Sequence, residues 1–411
     1  MRENYSILTF SDVPLPSYDR PYRGVLFVDY APADFIHEVF VISPASTEQF
    51  QHHNTKVKRF YFNAPNFKKI QYNIFYRLFI NVKLFLNLIK WRIGRHRLDF
   101  IRTGSTYLSL LVAITQRKDV PYIADCCDFY SDLYREFNMP FPRLICPIIH
   151  RLERYALQRA DLIFVDTHAQ RKYISNIMSI SSKKVAVVPN GVLIDNFPYP
   201  VKKDSQLMCH YGFGDNDIIL FYGGDISKMD GIEMLIDFVD AYRYSLPIKL
   251  LILGKGNAEY INSLKNRINK LSLKDQIIFD GFKPYSELYR YISLSDVCLA
   301  PFRLTNTSNV VECGKIITYM LCGKMVLSTK ADGVMSLYKD MIKYFIDGDY
   351  TDFSQQLIAI INNLPDKLQS NNIRLYAEMF DFQKIIDHEI KVIRDWFGSH
   401  KSNNSNYDYL P

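Results

Sequence analysis

Short apolar runs alternate with amphipathic stretches along most of the chain, and this alternation constrains the fold more than any other feature of the sequence. Asp217 to Gly223 (DIILFYG) and Lys249 to Leu253 (KLLIL) are β-branched or aliphatic runs, and each precedes a turn and a helical stretch. Such alternation predicts βα units that build a parallel sheet covered by helices.

The alternation occurs twice, on either side of one segment with the composition of a linker. Phe197 to Ser205 contains two prolines followed by polar residues, which is typical of connections between domains. At 411 residues the chain is long enough for two α/β domains, each with its own core. The predicted fold class is therefore α/β, with two Rossmann-like domains facing across a cleft.

The same pattern gives the expected domain boundaries. Residues 1–198 are predicted to form an N-terminal Rossmann-like domain with a basic amphipathic segment at 66–97, and residues 199–380 a C-terminal Rossmann-like domain. Apolar periodicity over residues 381–398 predicts a final helix that packs back on the N-terminal domain. Residues 399–411 are polar and are predicted to form a flexible tail.

Positive charge is concentrated in one window of the N-terminal domain. No acidic residue occurs between Glu48 and Asp99, and the eleven lysines and arginines of this window exceed the net charge of +7 of the whole chain. From Asn66 to Arg97 these cations alternate with apolar residues at helical spacing. Because a basic amphipathic helix suits an anionic membrane surface, residues 56–97 are predicted to bind one. A core-facing helix with a basic outer side is the alternative, and nucleic acid is not expected because no nucleic-acid motif accompanies the patch.

Cysteine spacing and hydropathy indicate the compartment. The seven cysteines are scattered without CxxC spacing, which predicts reduced, buried thiols in a cytoplasmic protein. No apolar run approaches the ~18 uncharged residues of a membrane-spanning helix, and the N-terminus lacks signal-peptide anatomy. The expected localisation is cytoplasmic, peripherally associated with the inner face of the cell membrane.

The stretch from Asn309 to Thr329 (NVVECGKIITYMLCGKMVLST) predicts a helix, a glycine turn and a buried strand. Asn309 is the expected N-cap, and Glu312 the second residue of a capping box. Glu312 and Lys315 would then share a helical face near the helix start, with Thr318 next along it. A cation beside a helix N-terminus suits a phosphate, although an ordinary surface helix would show the same pattern.

Two acidic residues follow a predicted strand of the first domain. Pro121 to Ala124 is that strand, and Asp125 and Asp128 come just after it. Polar residues beyond the carboxyl end of a parallel strand face the ligand crevice, so both are candidates for a functional site. The alternative is that they cap the following helix.

Several separated stretches, taken in order, resemble one family. They are RLERYALQRADLIFVDT (Arg151 to Thr167), KKVAVVPNGVLIDNF (Lys183 to Phe197), ILFYGGDISKMDGIEMLIDF (Ile219 to Phe238) and KIITYMLCGKMVLST (Lys315 to Thr329). The chain resembles the GT-B glycosyltransferases, and within them the glycosyl transferases group 1 class, which is family 4-like. The resemblance covers nearly all of the C-terminal half and the last third of the N-terminal half, and it indicates a divergent member.

The resemblance implies a nucleotide-sugar donor bound by the second domain and an acceptor bound by the first. The implied activity moves a sugar to a glycan or lipid-linked acceptor in cell-surface polysaccharide biosynthesis, with retention of anomeric configuration. Neither a resident cofactor nor a metal ion is expected. The nucleotide diphosphate sugar is a co-substrate, and its base, as in UDP or GDP, stays open.

The resemblance also implies roles for individual residues. Lys228 and Lys315 would neutralise the donor diphosphate, with Arg20 and Arg23 of the first loop contributing. Glu312 and Thr318 would hold the donor sugar or ribose, and Asp128 would lie near the reacting sugar or acceptor hydroxyl. Asp128 and Glu312 are thus the expected catalytic residues, and the remaining implied donor-binding residues are Gly224, Gly254 and Phe282.

The chain departs from the family pattern at four positions. Asp225 and Asp230 stand where the family has an arginine and a lysine that contact the diphosphate. Thr318 stands where the family has a ribose-binding glutamate, and Cys127 where it has a histidine. Two alternatives stay open. One is a nucleotide-sugar 2-epimerase of the same architecture, although it would normally need a histidine where this chain has Cys127. The other is an inactive GT-B subunit that binds membrane or a partner, which the Asp225 and Asp230 replacements favour.

Overall fold

A computed structural model describes residues 5–10, 27, 30–32, 34–44, 57–62, 82–90, 97–115, 119–136 and 140–399. The chain divides into two compact units. The first comprises residues 1–191 and 382–411, and the second comprises residues 192–381. The predicted boundaries after residues 198 and 380 lie close to these two breaks.

Within the described residues, the first unit contains a seven-stranded parallel sheet with the order β3-β2-β1-β4-β5-β6-β7. Its strands are β1 (Tyr5–Phe10), β2 (Ile36–Pro44), β3 (Val57–Phe62), β4 (Phe100–Thr103), β5 (Tyr122–Cys126), β6 (Leu162–Val165) and β7 (Val185–Val187). Strands β4, β5 and β6 are buried at every position, as expected for strands covered on both faces. The order reverses between β1 and β4, as in doubly wound folds.

Helices connect these strands as βα units require. They are α1 (the helical segment 82–90), α2 (Thr106–Thr115), α3 (Tyr130–Glu136), α4 (Pro142–Arg159), α5 (His168–Ile177) and α14 (Phe382–Ser399). The connections β3→β4, β4→β5 and β5→β6 all run in one direction across the sheet, so right-handed crossovers put α1, α2 and α4 on one face. Helix α2 packs against α4.

A buried ion-pair cluster joins α14 to the sheet of the first unit. Arg102 of β4 donates from Nε to Glu389 Oε1 at 2.7 Å and from Nη2 to Asp125 Oδ2 at 3.0 Å. All three side chains are at most 1% exposed. Because a buried charge is tolerated only when it is paired and hydrogen-bonded, the final helix and the central strands of this unit depend on each other. Asp125, a candidate for the functional site, has a structural role here.

A second buried carboxylate of this unit, that of Glu153 on α4, is hydrogen-bonded to backbone N–H groups. Its carboxylate accepts from the backbone N–H of Tyr130 at 2.5 Å and of Ser131 at 3.3 Å, at the start of α3. Burial raises the pKa of Glu153 from 4.5 to about 7 and outweighs these hydrogen bonds, which act to lower it. The folded unit therefore prefers the protonated acid.

This raised pKa predicts a loss of stability with rising pH. Between pH 4.5 and about 7 the folded state binds more protons than the unfolded state, so the free energy of unfolding falls as pH rises and levels off above pH 7. From pH 5 to pH 8 we expect a loss of about 2 kcal/mol from this group. Urea unfolding at several pH values measures it, and Glu153→Gln is expected to flatten the profile. An unchanged profile in the variant would contradict the assignment.

The second unit contains, in its described residues, a six-stranded parallel sheet with the order β10-β9-β8-β11-β12-β13. Its strands are β8 (Ile218–Ile226), β9 (Ile248–Gly256), β10 (Ile277–Phe279), β11 (Val297–Ala300), β12 (Met325–Thr329) and β13 (Lys343–Phe345). Its helices are α6 (Ser205–Tyr211), α7 (Ile232–Tyr242), α8 (Ala258–Lys270), α9 (Leu288–Leu294), α10 (Lys315–Leu321), α11 (Asp332–Tyr338), α12 (Tyr350–Asn362) and α13 (Lys367–Ala377). The order reverses between β8 and β11, which is the Rossmann arrangement.

The α/β class with two Rossmann-like domains is thus confirmed, while some local predictions are wrong. The linker was expected to extend through Ser205, but Asp204 accepts hydrogen bonds from the N–H groups of Gln206 and Leu207 and begins α6 there. Inside the basic window, β3 was not predicted. In α1, Leu84 and Leu88 are the buried residues.

The described part of the basic window therefore has an exposed apolar side. Val82 is 50% and Leu86 is 49% exposed. If this helix faced the core with its apolar side, as in the alternative to membrane binding, these two side chains would be buried. Lys83 is half-buried and Lys90 is exposed on the same helix. Most of the predicted segment 66–97 lies outside the described residues.

Candidate functional site

The sheet of the second unit opens at the point where its strand order reverses. Strand β8 pairs with β11 only at Leu220 and Phe221, whereas it stays paired with β9 as far as Ile226. The two central strands therefore separate toward their carboxyl ends. In open α/β sheets, ligands bind in the crevice that forms at this position.

Tyr319 of α10 bonds the part of β8 that β11 no longer reaches. Its hydroxyl accepts from Gly223 N at 2.9 Å and donates to Gly223 O at 3.0 Å. Tyr319 is 1% exposed, so these two backbone groups have a buried partner in place of the strand ladder. The contact fixes the start of the crevice and the position of α10.

Removal of this hydroxyl is expected to destabilise the second unit. Tyr319→Phe leaves a buried N–H and a buried C=O without their partner, which costs about 2 kcal/mol. Urea unfolding measures the loss. Tyr376→Phe is a matched control, since it removes one hydroxyl bond to a single carbonyl, that of Leu337. An equal cost in both variants would argue against a special role for the Tyr319 contact.

Lys315, the first residue of α10, places its ammonium beside the crevice. Its Nζ lies 3.0 Å from Tyr222 Oη and 3.4 Å from Asp230 Oδ1, and 4.5 Å from the centre of the Tyr222 ring. Its side chain is 20% exposed. Burial acts to lower the pKa of Lys315, but the neighbouring Asp230 carboxylate helps to raise it above its ordinary value, so the side chain remains a cation.

Glycines bring bare backbone into contact along the same edge. A Cβ on Gly224 would lie 2.9 Å from Lys315 Nζ, and a Cβ on Gly254 would lie 1.8 Å from the carbonyl oxygen of Gly224. Gly254 N donates to Gly281 O at 2.7 Å. Any side chain at these positions would displace the lysine or separate the strands, because backbone atoms cannot yield as a flexible side chain does.

An exposed aromatic ring lies beyond these glycines. Phe282, which follows Gly281 after β10, is 51% exposed, and Lys255 Nζ lies 5.1 Å from the centre of its ring. An exposed ring beside a cation suits a planar, electron-rich group such as a nucleobase. The carboxyl ends of β10, β9 and β8 thus present, in strand order, a ring, bare backbone and the Lys315 cation.

Two family models match the chain, one in each half. Residues 216–363 match the model described as Glycosyl transferases group 1, and residues 33–196 match the model described as Glycosyltransferase Family 4. The chain belongs to the GT-B glycosyltransferases. Its two Rossmann-like units are those that this family requires.

Individual relatives of this GT-B chain are distant in sequence. Alpha-monoglucosyldiacylglycerol synthase of Streptococcus pneumoniae is 26% identical over 49% of this chain and 46% of the relative. TuaH of Bacillus subtilis, whose name assigns it to teichuronic acid biosynthesis, is 22% identical over 62% of this chain and 61% of the relative. The chain therefore spans less than two thirds of the length of these curated relatives. HepE of Anabaena, solved in complex with UDP, is 17% identical over 95% of this chain and 100% of its own, with a TM-score of 0.67, which shows a shared fold.

The two acidic replacements in the GT-B pattern have different environments. Asp225 is exposed at the end of β8, whereas Asp230 is part of a hydrogen-bond network. Asp230 Oδ2 accepts from Ser227 N and Ser227 Oγ at 3.1 and 2.7 Å, and its Oδ1 lies 2.8 Å from Tyr222 Oη. Asp230 thus organises the turn after β8 and pairs with Lys315. Lys228 is exposed in the same turn and forms no ion pair with other residues in the described ranges.

The predicted start of α10 is wrong. The helix begins at Lys315 after Gly314, so Asn309 is not its N-cap and Glu312 does not lie on it. The Asn309 side chain instead accepts from Asp332 N at 3.1 Å, at the start of α11. Tertiary contact with α11 has therefore replaced the local capping box.

Glu312 and Thr318 consequently have different surroundings from those expected. Glu312 is half-buried, and its Oε1 accepts from Tyr338 Oη at 3.3 Å. Thr318 is 7% exposed, and its hydroxyl donates to Lys315 O at 2.7 Å within the helix. Of the two, Glu312 has the side chain that is more open to a ligand.

In the first unit, Asp128 is exposed just beyond the carboxyl end of β5. The neighbouring Cys127 Sγ lies 3.5 Å from Asp125 Oδ1. Ligand atoms of Asp125, Cys127 and Asp166 lie within 4.8 Å of one another, but Arg102 already neutralises Asp125, so we assign this cluster to structure. Arg20 and Arg23 lie outside the described residues.

Sequence reasoning missed three residues at the crevice. Tyr222 is fully buried in β8, Tyr319 lies on the inner side of α10, and Lys255 is the last residue but one of β9. In the sequence, tyrosines within a strand or helix of an α/β layer are typical core residues. Only the separation of β8 from β11, a tertiary feature, shows which tyrosines face the crevice.

Proposed function

We propose that this GT-B chain transfers a sugar from a nucleotide diphosphate sugar, with UDP or GDP as the nucleotide, to a glycan or lipid-linked acceptor. The transfer would serve the assembly of cell-surface polysaccharide or glycolipid. The names of the two curated relatives, one a glucosyldiacylglycerol synthase and the other a teichuronic acid protein, support this class of product. HepE, which has the same fold, was solved with UDP.

One observation carries the proposal: the series of ring, bare backbone and cation along the carboxyl ends of β10, β9 and β8. A nucleotide diphosphate has the complementary series, a flat base followed by an anionic diphosphate. Phe282 would stack on the base, Gly254 and Gly224 would allow close approach of the backbone, and Lys315 would meet the diphosphate. The second unit is thus the proposed donor unit.

In the proposed reaction, the bond between the sugar and the diphosphate breaks while the acceptor hydroxyl attacks the anomeric carbon. Negative charge grows on the departing diphosphate, so Lys315 and the exposed Lys228 would stabilise the transition state more than the ground state. Arg20 and Arg23 are proposed to assist them. Glu312 would hold the sugar or ribose hydroxyls, with Thr318 shaping the helix beside them.

The acceptor side is proposed to lie in the first unit. Asp128, exposed past β5, would accept a hydrogen bond from the acceptor hydroxyl or from the reacting sugar. We propose retention of anomeric configuration and a reaction without a metal ion. Proton NMR of the first product formed tests the configuration, and transfer in the presence of EDTA tests the metal.

Phe282→Ala tests the donor site directly. Loss of a stacked base is expected to weaken binding of the nucleotide about tenfold, and calorimetry with UDP and with GDP measures it. Tyr244, which is 88% exposed elsewhere in the second unit, provides the matched control Tyr244→Ala. Equal effects in the two variants, or nucleotide affinity that is unchanged by Phe282→Ala, would contradict the placement of the base.

An inactive GT-B subunit is the second candidate, and the pairing of Asp230 with Lys315 favours it. A carboxylate 3.4 Å from the ammonium reduces the positive charge available to a diphosphate. Calorimetry separates the candidates, because a subunit without a donor site binds neither UDP nor GDP. A 2-epimerase would instead convert a nucleotide sugar without any acceptor, which product analysis detects.

The proposed location is cytoplasmic, at the inner face of the cell membrane, with residues 56–97 on the anionic surface. In the described part of this window, α1 exposes Val82 and Leu86 and carries Lys83 and Lys90. This combination of apolar and basic side chains supports interfacial binding. In the described part of the chain, no helix combines the length and the apolar character needed to cross a bilayer.

A further inference from the structure

Helix α4 of the first unit exposes an apolar stripe on the side opposite to its buried residues. The buried residues are Cys146, Glu153, Ala156 and Leu157. The exposed residues follow one another at spacings of three or four along the helix, with one more at its start. They are Phe141 at 73%, Leu144 at 70%, Ile148 at 55%, Leu152 at 42% and Tyr155 at 43% exposure. These five residues are called the α4 stripe below.

A stripe of this kind is unusual for a solvent-facing helix, because the outer side of an amphipathic helix is normally polar. Spacings of three and four keep successive side chains on one face, so the exposed apolar area is continuous and not scattered. Contiguous exposed apolar surface marks a site of interaction. The side facing the core is separate, so the stripe is not a misplaced part of that core.

The charges beside the stripe have one sign. Arg143, Arg151, Arg154 and Arg159 are exposed on α4, and Arg159 lies 5.4 Å from the centre of the Tyr155 ring. In the range 142–159, all of which is described, the single acidic residue is Glu153, which is 4% exposed. The exposed charged side chains of α4 itself are therefore all cationic, and a partner of this face of the helix should be anionic and apolar at once.

We propose that the α4 stripe docks this chain onto an anionic lipid bilayer, with the helix lying in the plane of the headgroups. Leucine, isoleucine and aromatic side chains would enter the boundary between headgroups and acyl chains, while the arginines meet lipid phosphates. The α4 stripe would be a second membrane-binding surface, in addition to residues 56–97. The proposal rests on the proposed membrane location, and it does not depend on any transfer activity.

A second copy of the chain fits this surface less well. Two α4 helices packed against each other would bring eight arginine side chains together without an exposed acid between them, which is repulsive. From Leu144 to Tyr155 the helix is about 16 Å long, which is short for the ~800 Å² per partner of a stable interface. Nucleic acid would satisfy the arginines but not the five apolar residues.

The topology of the first unit places this surface on the same face of the sheet as α1. Right-handed crossovers put α1, α2 and α4 on one face of the sheet, and α2 packs against α4. Helix α2 itself exposes Ile114 at 55%, and α1 exposes Val82 and Leu86. Three helices of one layer thus present apolar side chains outward, which extends the docking surface.

Vesicle co-sedimentation of the full chain tests the proposal. The vesicles consist of phosphatidylcholine with or without phosphatidylglycerol, at low and high salt. We expect binding that requires phosphatidylglycerol and falls with salt, and about tenfold weaker binding for Ile148→Asp combined with Leu152→Asp. Leu368→Asp is the matched control, since Leu368 is 67% exposed on α13 of the second unit, and it is expected to bind as the unchanged chain does.

Further measurements distinguish membrane docking through the α4 stripe from dimerisation and from nucleotide binding. Arg151→Ala combined with Arg154→Ala is expected to lower the salt dependence while the melting temperature stays unchanged. Vesicle binding unaltered by the stripe variant would overturn the proposal, as would a dimer in sedimentation velocity that the stripe variant dissociates. Calorimetry with UDP and GDP on the same variants reports on the donor site separately. Lost nucleotide binding with retained vesicle binding would therefore count against the proposed function alone.

Discussion

Replacing Lys315 by alanine is expected to lower kcat/KM for sugar transfer by about 100- to 1,000-fold, the usual effect of removing one preorganised charge from a transition state. The ammonium is held by Tyr222 Oη at 3.0 Å and lies beside the bare backbone of Gly224. It therefore needs no reorganisation to meet the departing diphosphate. Transfer from a panel of nucleotide sugars to a lipid-linked acceptor extract measures the effect.

Lys265→Ala is the control for this experiment, because Lys265 is an exposed lysine of α8. Asp230→Asn is the converse variant, and it is expected to strengthen UDP or GDP binding by removing the carboxylate that pairs with Lys315. If Lys315→Ala transferred sugar at the unaltered rate, the proposed role of this residue would be wrong. If Asp230→Asn gained nucleotide affinity without transfer, the chain would have a donor site but no catalysis.

Glu389→Ala is expected to lower the free energy of unfolding of the first unit by about 3–5 kcal/mol, because it leaves the buried Arg102 guanidinium without its closest carboxylate. Arg102 Nε lies 2.7 Å from Glu389 Oε1, and both side chains are 0% exposed. Urea unfolding followed by circular dichroism measures the change. A chain of two units need not unfold in one step, so the transition of the first unit is the one expected to move.

Asp387→Ala provides a matched control on the same helix. Asp387 is exposed and bonds to Gln383, and the loss of such a surface contact costs little. If the two variants lost a similar free energy of unfolding, any substitution on α14 would have this effect, and the ion-pair cluster would have no special role. Unaltered nucleotide binding in Glu389→Ala would confirm that the second unit remains folded.

Local sequence patterns are sufficient to predict most strands. The runs Asp217 to Gly223 and Lys249 to Leu253 overlap β8 and β9, and the final helix was predicted within two residues of α14. These elements are continuous apolar runs or amphipathic periodicities, which depend on burial alone.

The features that were predicted wrongly or missed depend on contacts between residues far apart in the chain. The capping signal at Asn309 is real, but its side chain bonds to Asp332, 23 residues later. Tyr319 meets Gly223 across 96 residues, and Arg102 meets Glu389 across 287. No local spacing contains such information. The α4 stripe was likewise not predicted, since apolar residues at helical spacing normally indicate a buried face, and only the tertiary structure shows that this face is exposed.

The first unit is built from two separate stretches, residues 1–191 and 382–411, and this has a consequence for biosynthesis. Domains of a nascent chain generally fold as they emerge from the ribosome, with the N-terminal one first. Here residues 192–381 are made as one continuous stretch, whereas the first unit lacks Glu389 until all of those residues have been translated. Until then the Arg102 guanidinium has no Glu389 beside it. The second unit is therefore complete before the first, and a message truncated between residues 381 and 389 would yield a folded second unit attached to an unfinished first.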